Sequence, residues 1–388
     1  MPILRKLFRP NRGLTSDDRL GRIESSLRAV ADFQMVLVER LEGIDPILTG
    51  LSDSNASLDQ RLKHITQQTA ERLDHLSARL AQTCYAASLA TKIGHQGEYE
   101  NALYRSLVGA ERPLSSTALP VPLTSSLCQQ VHFCLDQYRF WIEQIRDKPR
   151  FLRKQWEFFF IAQALFERGM LQVGRRGIGF GIGSETLPAL FASFGVEVLA
   201  TDQSYENAER SGWVKSDQHS TDVSGLNIRG ICTAARFSKL VEFAEVDMNA
   251  LPANLGGRFD FCWSACALEH LGSLKHGTEF IKRSLDVLKP GGVAIHTTEF
   301  NLSSNERTIE SEGLSVYRRR DIEELVQEIE AEGHTVEPID WTHGNGLAET
   351  VVDLPPWGRG EPHVRLLLGD FECTSIGLII RGNAAPGN

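Results

Sequence analysis

The strongest constraint on the fold is a glycine-rich turn at residues 177–183, Gly-Ile-Gly-Phe-Gly-Ile-Gly. Within it, Gly179, Gly181 and Gly183 alternate with apolar residues, a pattern typical of a strand that ends in a sharp turn and exposes bare backbone to a ligand. A helical segment over 186–194 follows, so its first N–H groups point towards whatever lies over the turn. The segment therefore predicts the start of a βαβ unit that binds a nucleotide-like ligand.

An acidic residue stands where such a unit needs one. Residues 196–200 predict a second strand, and Asp202 lies at its carboxyl end, 202 − 183 = 19 residues after the last glycine. This is close to the roughly 20 residues expected for a carboxylate that binds a ribose. A dinucleotide site would need G-x-G-x-x-G, but the last position is not glycine whether the count starts at Gly179 or at Gly181. An NAD-dependent oxidoreductase is therefore disfavoured.

Three further landmarks follow in order. An acidic residue closes a third strand at 246–248, a fourth strand covers 258–264, and Leu-Lys-Pro-Gly-Gly at 288–292 turns into a fifth strand at 293–297. With the glycine turn, these landmarks resemble a class I S-adenosylmethionine (SAM) dependent methyltransferase. The resemblance implies an α/β fold with a Rossmann-like, seven-stranded doubly wound sheet over 176–383, SAM as cofactor and S-adenosylhomocysteine as product.

The resemblance also implies which residues bind the donor. In this family the glycines admit the methionine and ribose portions of SAM, the acid after the second strand accepts from the ribose hydroxyls, and the residues after the third strand flank the adenine. The matching residues are Gly179, Gly181, Gly183, Asp202, Gln203, Asp247 and Met248, with Ser264 and Ala265 lining the floor near the reactive methyl group. Many members carry an acid two positions before the first motif glycine, but Gly177 stands there in this chain. Glu185 is the candidate for the missing contact to the amino group of SAM.

Acidic and histidine residues follow two of the predicted strands and are the candidates for the acceptor side. Glu269 and His270 follow the fourth strand, and His296 and Glu299 lie at the end of the fifth. An imidazole there could take a hydroxyl proton; alternatively, all four residues could bind a divalent metal that acidifies a sugar diol. One ubiquinone-pathway methyltransferase group binds metal through Glu-x-x-Glu-His, and this chain has Cys266 in place of the first carboxylate. A structural role at the rim is the third interpretation of these residues.

The N-terminal part predicts helical modules outside this domain. Residues 1–17 form a basic tail, which either contacts an anionic membrane surface or is disordered. Residues 18–82 place apolar side chains at alternating spacings of three and four for about six heptads, which predicts a coiled coil and a homo-oligomer. Gly43 and Pro46 interrupt the pattern, so intramolecular packing of two helices is the alternative. The sequence then predicts a linker over 83–126 and a helical cap over 127–175.

Composition restricts the partners and the compartment. The 388 residues include 41 basic and 50 acidic side chains, a formal net charge of −9, which argues against a general nucleic-acid binder. Seven cysteines without a C-x-x-C pair argue for reduced thiols. The sequence has no apolar run long enough for a membrane span and no signal-peptide core. The expected location is the cytoplasm, with peripheral contact at the inner face of the membrane as an open alternative.

Several segments indicate the chemical class of the methyl acceptor. Those at 155–158, 179–190, 212–219 and 369–375 resemble a bacterial methyltransferase group associated with cell-surface polysaccharides. A coiled coil with a basic tip also looks like chain-terminating O-antigen methyltransferases, although in those proteins the rod follows the catalytic domain. The expected reaction is O-methylation of a sugar hydroxyl on a surface glycan or its lipid-linked precursor, with glycan-assembly machinery as a partner. The alternatives are a small metabolite, a lipid headgroup, or a non-catalytic scaffold recruited by its coil.

Overall fold

The computed structural model describes residues 122–206, 219–355, 357 and 362–383, together with 62–73 and single positions between 25 and 76. The chain divides into two compact units, Met1–Gln96 and Gly97–Asn388. In the first unit, the described residues are helical. The predicted basic tail (1–17) lies outside the described residues, as do most of the predicted coiled coil (18–82) and most of the predicted linker (83–126). None of the described helices is long and apolar enough to cross a membrane.

The second unit is built on a mixed sheet. Its strands are β1 (Ser125–Leu127), β2 (Arg176–Phe180), β3 (Glu197–Asp202), β4 (Val241–Glu245), β5 (Phe259–Ala265), β6 (Leu288–Asn301), β7 (Thr335–Val336), β8 (Ile339–Asp340), β9 (Val352–Asp353), β10 (Arg365–Leu368) and β11 (Phe371–Arg381). The order across the sheet is β4-β3-β2-β5-β6-β11-β1-β8. Strands β2 to β6 are mutually parallel, and β11 runs antiparallel to β6. The mixed α/β architecture agrees with the sequence prediction, and β10 and β11 form an antiparallel hairpin.

The sheet has eleven strands among the described residues instead of the predicted seven, because its far edge is assembled from short pieces. β7 pairs with the end of β11, β1 pairs with its middle, and β8 pairs with β1. Pro338 lies between β7 and β8 and cannot donate to a ladder, so these two short strands do not form one continuous strand. The sequence did not predict β1, which comes from the boundary between the predicted linker and the predicted cap.

Seven helices cover both faces of the sheet. They are α1 (Gln130–Phe133), α2 (Asp136–Gln144), α3 (Arg153–Glu167), α4 (Leu187–Ser193), α5 (Ala234–Leu240), α6 (Leu274–Asp286) and α7 (Arg319–Ala331) among the described residues. Helices α2 to α5 share one core with Phe261 and Trp263 of β5, whereas α6 and α7 share the other with Cys262. Successive side chains of a strand point to opposite faces, so β5 contributes side chains to both cores. Burial on both faces explains why five of the seven residues of β5 are apolar.

Candidate active site

The glycine turn after β2 has two separate physical causes. Gly179 pairs with Trp263 of β5, and a Cβ at Gly179 would lie 2.3 Å from the indole carbon Cζ2. Gly181 and Gly183 lie in the left-handed region, with φ of 59° and 47°, which favours glycine. A Cβ at Gly181 would also lie 2.8 Å from the Cβ of Ala267. Side-chain packing thus requires glycine at position 179, and the backbone conformation requires glycine at positions 181 and 183. The result is a loop of bare backbone at the carboxyl edge of the sheet.

Asp202 joins the end of β3 to that loop. It is 7% exposed; its Oδ2 accepts hydrogen bonds from the N–H groups of Gly183 (3.1 Å) and Ser220 (3.3 Å), and its Oδ1 accepts from that of Gln203 (2.8 Å). Burial raises the pKa of Asp202, whereas these N–H groups and the nearby His219 act against the rise. A carboxylate offers about four lone-pair sites. Three donors therefore leave room for a ligand hydroxyl group, in line with the predicted contact to a ribose.

Glu185 is fixed beside the loop by the same ring that excludes a side chain from Gly179. The indole N–H of Trp263 donates to Oε1 of Glu185 at 2.6 Å. Burial raises the pKa of Glu185 to about 8, although this hydrogen bond and the charge of Lys154 favour the ionised form. A cationic ligand group nearby would also favour the ionised form. The position suits the predicted contact with an amino group.

The residues predicted to flank an adenine follow β4. Asp247 is exposed and accepts a hydrogen bond from the N–H of Asn249 at 2.8 Å. Met248 is buried, and its sulfur would lie 3.2 Å from a Cβ at Gly181. The carboxyl ends of β2, β3 and β4 therefore bring the predicted donor-side residues to one edge of the sheet, where open α/β sheets bind their ligands.

Ser264 and His296, predicted at the site, belong to the buried core. Oγ of Ser264 and Nδ1 of His296 are hydrogen-bonded at 2.8 Å, and Nε2 of His296 is hydrogen-bonded to Oγ of Ser284 at 3.0 Å. Burial lowers the pKa of His296 to about 3, so the ring is neutral. Because residues 296 and 299 are an odd number apart on β6, His296 and Glu299 point to opposite faces. The structure therefore gives no support to His296 as a catalytic base or a metal ligand.

Two of the predicted acceptor-side residues converge where β5 and β6 end. Glu269 and Glu299 each bring a carboxylate oxygen within 4.8 Å of the other and of the sulfur of Cys266. His270 lies at their margin and is partly exposed; its Nδ1 is hydrogen-bonded to the carbonyl of Gly313 at 2.7 Å, and its Nε2 lies 4.0 Å from Oε1 of Glu269. Of the four predicted residues, the two carboxylates are thus central and His270 is peripheral.

The start of α3 contributes three charged residues that the sequence analysis missed. Arg153 is ion-paired with Glu299 and donates to Oγ of Ser375 at 3.1 Å. Lys154 and Glu157 form an ion pair at 2.7 Å. Burial acts to raise the pKa of Glu157, but the charges of Lys154 and Arg153 lower it. A signal was available, because two cations in the first turn oppose the helix dipole and so indicate partners outside the helix.

Cys266 connects these groups at the end of β5. Its φ of 49° is unusual for a residue with a side chain, and such strained positions often mark functional sites. Its N–H donates to the carbonyl of Thr297 at 3.0 Å, and its Sγ donates to Oε1 of Glu157 at 3.0 Å. We call Arg153, Lys154, Glu157, Cys266, Glu269 and Glu299 the acceptor cluster.

The acceptor cluster does not fit the divalent metal considered for Glu269, His270, His296 and Glu299. Glu299 is already ion-paired with Arg153, and the thiol of Cys266 donates its hydrogen to Glu157. Burial and the neighbouring Glu157 raise the pKa of this thiol, whereas metal ligation needs a thiolate. A polar organic acceptor suits this mixture of donors and acceptors better than a cation does.

Part of the chain matches a known family model. Residues 177–296 match the family model described as a methyltransferase domain. The match begins in β2 and ends in β6, so it contains the glycine turn, Asp202, Glu185 and Glu269. No curated protein matches the sequence.

Several solved structures are distantly similar. A putative methyltransferase from Bacillus halodurans has 14% identity over 57% of this chain and 97% of that chain, with a TM-score of 0.35. The 1,6-didemethyltoxoflavin-N1-methyltransferase of Burkholderia thailandensis, solved with 1,6-didemethyltoxoflavin and S-adenosylhomocysteine, has 15% identity over 57% of this chain and 76% of that chain, with a TM-score of 0.35. A putative sarcosine dimethylglycine methyltransferase from Galdieria sulphuraria has 12% identity over 64% of this chain and 99% of that chain, with a TM-score of 0.33. At these scores, none of the three bears on the acceptor.

Proposed function

We propose that this SAM-dependent methyltransferase methylates a hydroxyl group of a sugar carried on a bacterial surface glycan or its lipid-linked precursor. On the donor side, Gly181 and Gly183 would admit the methionine and ribose portions of SAM, and Asp202 would bind the ribose. Asp247 and Met248 would flank the adenine. These residues fit the donor because they leave bare backbone and a partly unused buried carboxylate at one edge of the sheet.

The observation that carries the proposal is a buried donor and a buried acceptor left unpaired within one ion pair. Neither Nε of Arg153 nor Oε2 of Glu299 has a hydrogen-bond partner among the described residues, although the two side chains are paired through Nη2 and Oε1. Unpartnered buried polar atoms are uncommon in native proteins. A ligand hydroxyl group that reached both atoms would satisfy them, because it donates one hydrogen bond and accepts others.

The same two groups would bind the acceptor oxygen and remove its proton. SAM, when bound, supplies a methyl group on a sulfonium: the acceptor oxygen bonds to the methyl carbon, and the electrons of the broken carbon–sulfur bond remain on sulfur. Oε2 of Glu299 takes the hydroxyl proton. Burial raises the pKa of Glu299, although the charge of Arg153 opposes the rise, and a higher pKa makes a carboxylate a better base. Nε of Arg153 would donate to the acceptor oxygen and hold it in place.

The sugar assignment is supported by where the shared segments meet. Two segments that resemble the polysaccharide-associated group, 155–158 and 369–375, come together at a hydrogen bond of 2.7 Å from Oγ of Ser375 to Glu157. Arg153, the partner of Glu299, donates to the same hydroxyl. Two of the four resembling segments therefore meet at the acceptor cluster, where acceptor selection would take place.

The acceptor class is tested by incubating the full chain with methyl-labelled SAM and either cell-envelope or soluble extract. We expect label in the envelope fraction, recovered after acid hydrolysis as an O-methyl sugar. Label in a soluble metabolite or in a lipid headgroup would replace the glycan proposal with one of these acceptors. A protein that binds neither SAM nor S-adenosylhomocysteine in a thermal-shift titration would instead be a scaffold.

The role of the ion pair is tested by Glu299→Gln. Removal of a general base lowers turnover by about 100- to 10,000-fold, while S-adenosylhomocysteine affinity should stay unchanged. Asp321→Asn is the matched control, because Asp321 is also a mostly buried carboxylate paired with an arginine, Arg318, at 2.8 Å. Arg153→Lys keeps the charge but removes Nε and should also lower turnover. Wild-type turnover in Glu299→Gln would refute this mechanism.

The N-terminal predictions extend the proposal to assembly and location. Residues 18–82 would associate with other copies of the chain, and the basic tail at 1–17 would rest on the inner face of the membrane beside the glycan machinery. Light scattering of the full chain should then give the mass of an oligomer, and the chain should bind vesicles that contain anionic lipid but not neutral ones. A monomer, or equal binding to both kinds of vesicle, would contradict these points.

A further inference from the structure

Lys154 reaches from α3 to the carboxyl end of β5. Its Nζ donates to the carbonyl of Ala265 at 3.1 Å and is ion-paired with Oε2 of Glu157 at 2.7 Å. The side chain is nevertheless 45% exposed, so it is accessible from the edge of the sheet where the donor site lies. An ammonium group has three N–H donors, and these two contacts leave one for a ligand.

A carboxyl group just after the glycine turn is also held at the end of β5. Trp263, two residues before Ala265 on β5, holds Oε1 of Glu185 at 2.6 Å. The charge of Lys154 favours the ionised form of Glu185 and so acts against the effect of burial on its pKa. A cation and a carboxyl group therefore flank the end of β5, one on α3 and one on the loop after β2.

We propose that Lys154 binds the α-carboxylate of the donor's methionine portion while Glu185 binds its α-ammonium group. This inference rests on the proposed placement of the donor over Gly181, Gly183 and Asp202. The methionine end of SAM is a zwitterion, and a lysine facing a glutamate complements both of its charges. Charge-assisted hydrogen bonds are stronger than neutral ones and fix the orientation of the ligand.

The placement also accounts for a cation in an unfavourable part of a helix. The first turn of α3 contains Arg153 and Lys154 but no acidic residue, and no side chain caps it, although the helix dipole disfavours positive charge there. Arg153 is engaged by Glu299 on the acceptor side. Lys154 pairs with Glu157 of the acceptor cluster but also reaches the end of β5, so it lies between the two halves of the site.

Three probes separate the groups of the donor. S-adenosylhomocysteine carries both charged groups, its decarboxylated analogue keeps only the ammonium group, and 5′-methylthioadenosine has neither. In calorimetric titrations, Lys154→Met should weaken the binding of S-adenosylhomocysteine by about 10- to 100-fold and leave the affinity for the other two probes unchanged. Glu185→Gln should weaken the binding of the first two probes and leave that of 5′-methylthioadenosine unchanged. Lys154→Arg should restore most of the affinity.

Lys289→Met is the matched control. Lys289 is 44% exposed and ion-paired at 2.8 Å with Asp260, which lies at the start of β5, at the opposite edge of the sheet. This variant should bind all three probes as the wild type does. A thermal melt of each variant checks that it is folded.

Two results would overturn the proposal. Equal affinity of wild type and Lys154→Met for S-adenosylhomocysteine would leave Lys154 as a purely structural partner of Glu157. Tighter binding by Lys154→Met would mean that its ammonium group competes with that of the donor. A wrong donor placement gives a different result, because Asp202→Asn would then leave the affinity for 5′-methylthioadenosine unchanged.

Discussion

Gly179→Ala should destabilise the fold because of Trp263, independently of any ligand. The new Cβ would lie 2.3 Å from Cζ2 and 2.6 Å from Cε2 of the indole, whereas ordinary carbon contacts are about 3.5–4.0 Å. The ring cannot easily move away, because it is fully buried, bonded to Glu185 and in edge contact with Phe191 at 5.0 Å. Overpacking of this kind costs about 1–3 kcal/mol or more, and the immobile ring favours the upper end.

The loss of chain entropy in the unfolded state offsets about 0.4–1 kcal/mol of that cost. The expected net loss is therefore about 2 kcal/mol, which for a unit of this size lowers the melting temperature by about 4–8 °C. Urea denaturation followed by tryptophan fluorescence measures the free energy of unfolding. Gly225→Ala is the matched control, since nothing lies within 4 Å of a Cβ at that exposed turn.

Removal of the ring should rescue part of the loss. The double variant Gly179→Ala/Trp263→Leu should lose less stability than the sum of the losses of the two single variants, because the clash no longer exists. If Gly179→Ala is as stable as Gly225→Ala, or if the two effects are additive, the steric explanation of the first motif glycine is wrong.

Three other variants or conditions test separate parts of the site. The pKa of Glu185 is raised from 4.5 to about 8, so between these pH values the native state holds a proton that the unfolded chain has lost, and stability falls as pH rises. In urea titrations at pH 6 and pH 8.5, Glu185→Gln should reduce this fall in stability. An unchanged fall would contradict a buried carboxyl group at this position. His296→Ala should lower stability by about 2–4 kcal/mol, because it leaves a cavity and removes the hydrogen bonds of His296 to Ser264 and Ser284. The folded fraction should keep its turnover per active site, and a large loss of turnover with full stability would restore a catalytic role. Because two carboxylates of the acceptor cluster are already ion-paired with Arg153 and Lys154, EDTA should leave initial methylation rates unchanged. Inhibition by EDTA that added metal reverses would contradict this.

The donor side of the site could be predicted because its residues follow strand ends at short, regular spacings. Gly181, Gly183 and Asp202 lie within one βαβ unit, and local chain geometry alone brings them together. The bond of 3.1 Å between Asp202 and the N–H of Gly183 spans 19 residues. No local pattern, however, indicated that Gly179 is required by the ring of Trp263, because the pairing of β2 with β5 crosses 84 positions of the chain (263 − 179).

The acceptor side could be predicted only in part, because tertiary contacts assemble it. Arg153 and Ser375 are hydrogen-bonded although 222 positions separate them, and no local pattern connects them. His296 and Glu299 were grouped because both end the same strand. Their odd separation already placed them on opposite faces, so stricter use of the strand period would have removed His296 from the candidates.

The placement of the donor over the ends of β2 and β3 is tested most directly by titrating S-adenosylhomocysteine into Asp202→Asn and Asp260→Asn. Both aspartates are 7% exposed and both accept backbone N–H groups, but Asp260 lies at the amino edge of the sheet. Asp202→Asn should bind about 10- to 100-fold more weakly than wild type, whereas Asp260→Asn should bind equally well. Unchanged affinity in Asp202→Asn, or equal losses in both variants, would contradict the donor site described here.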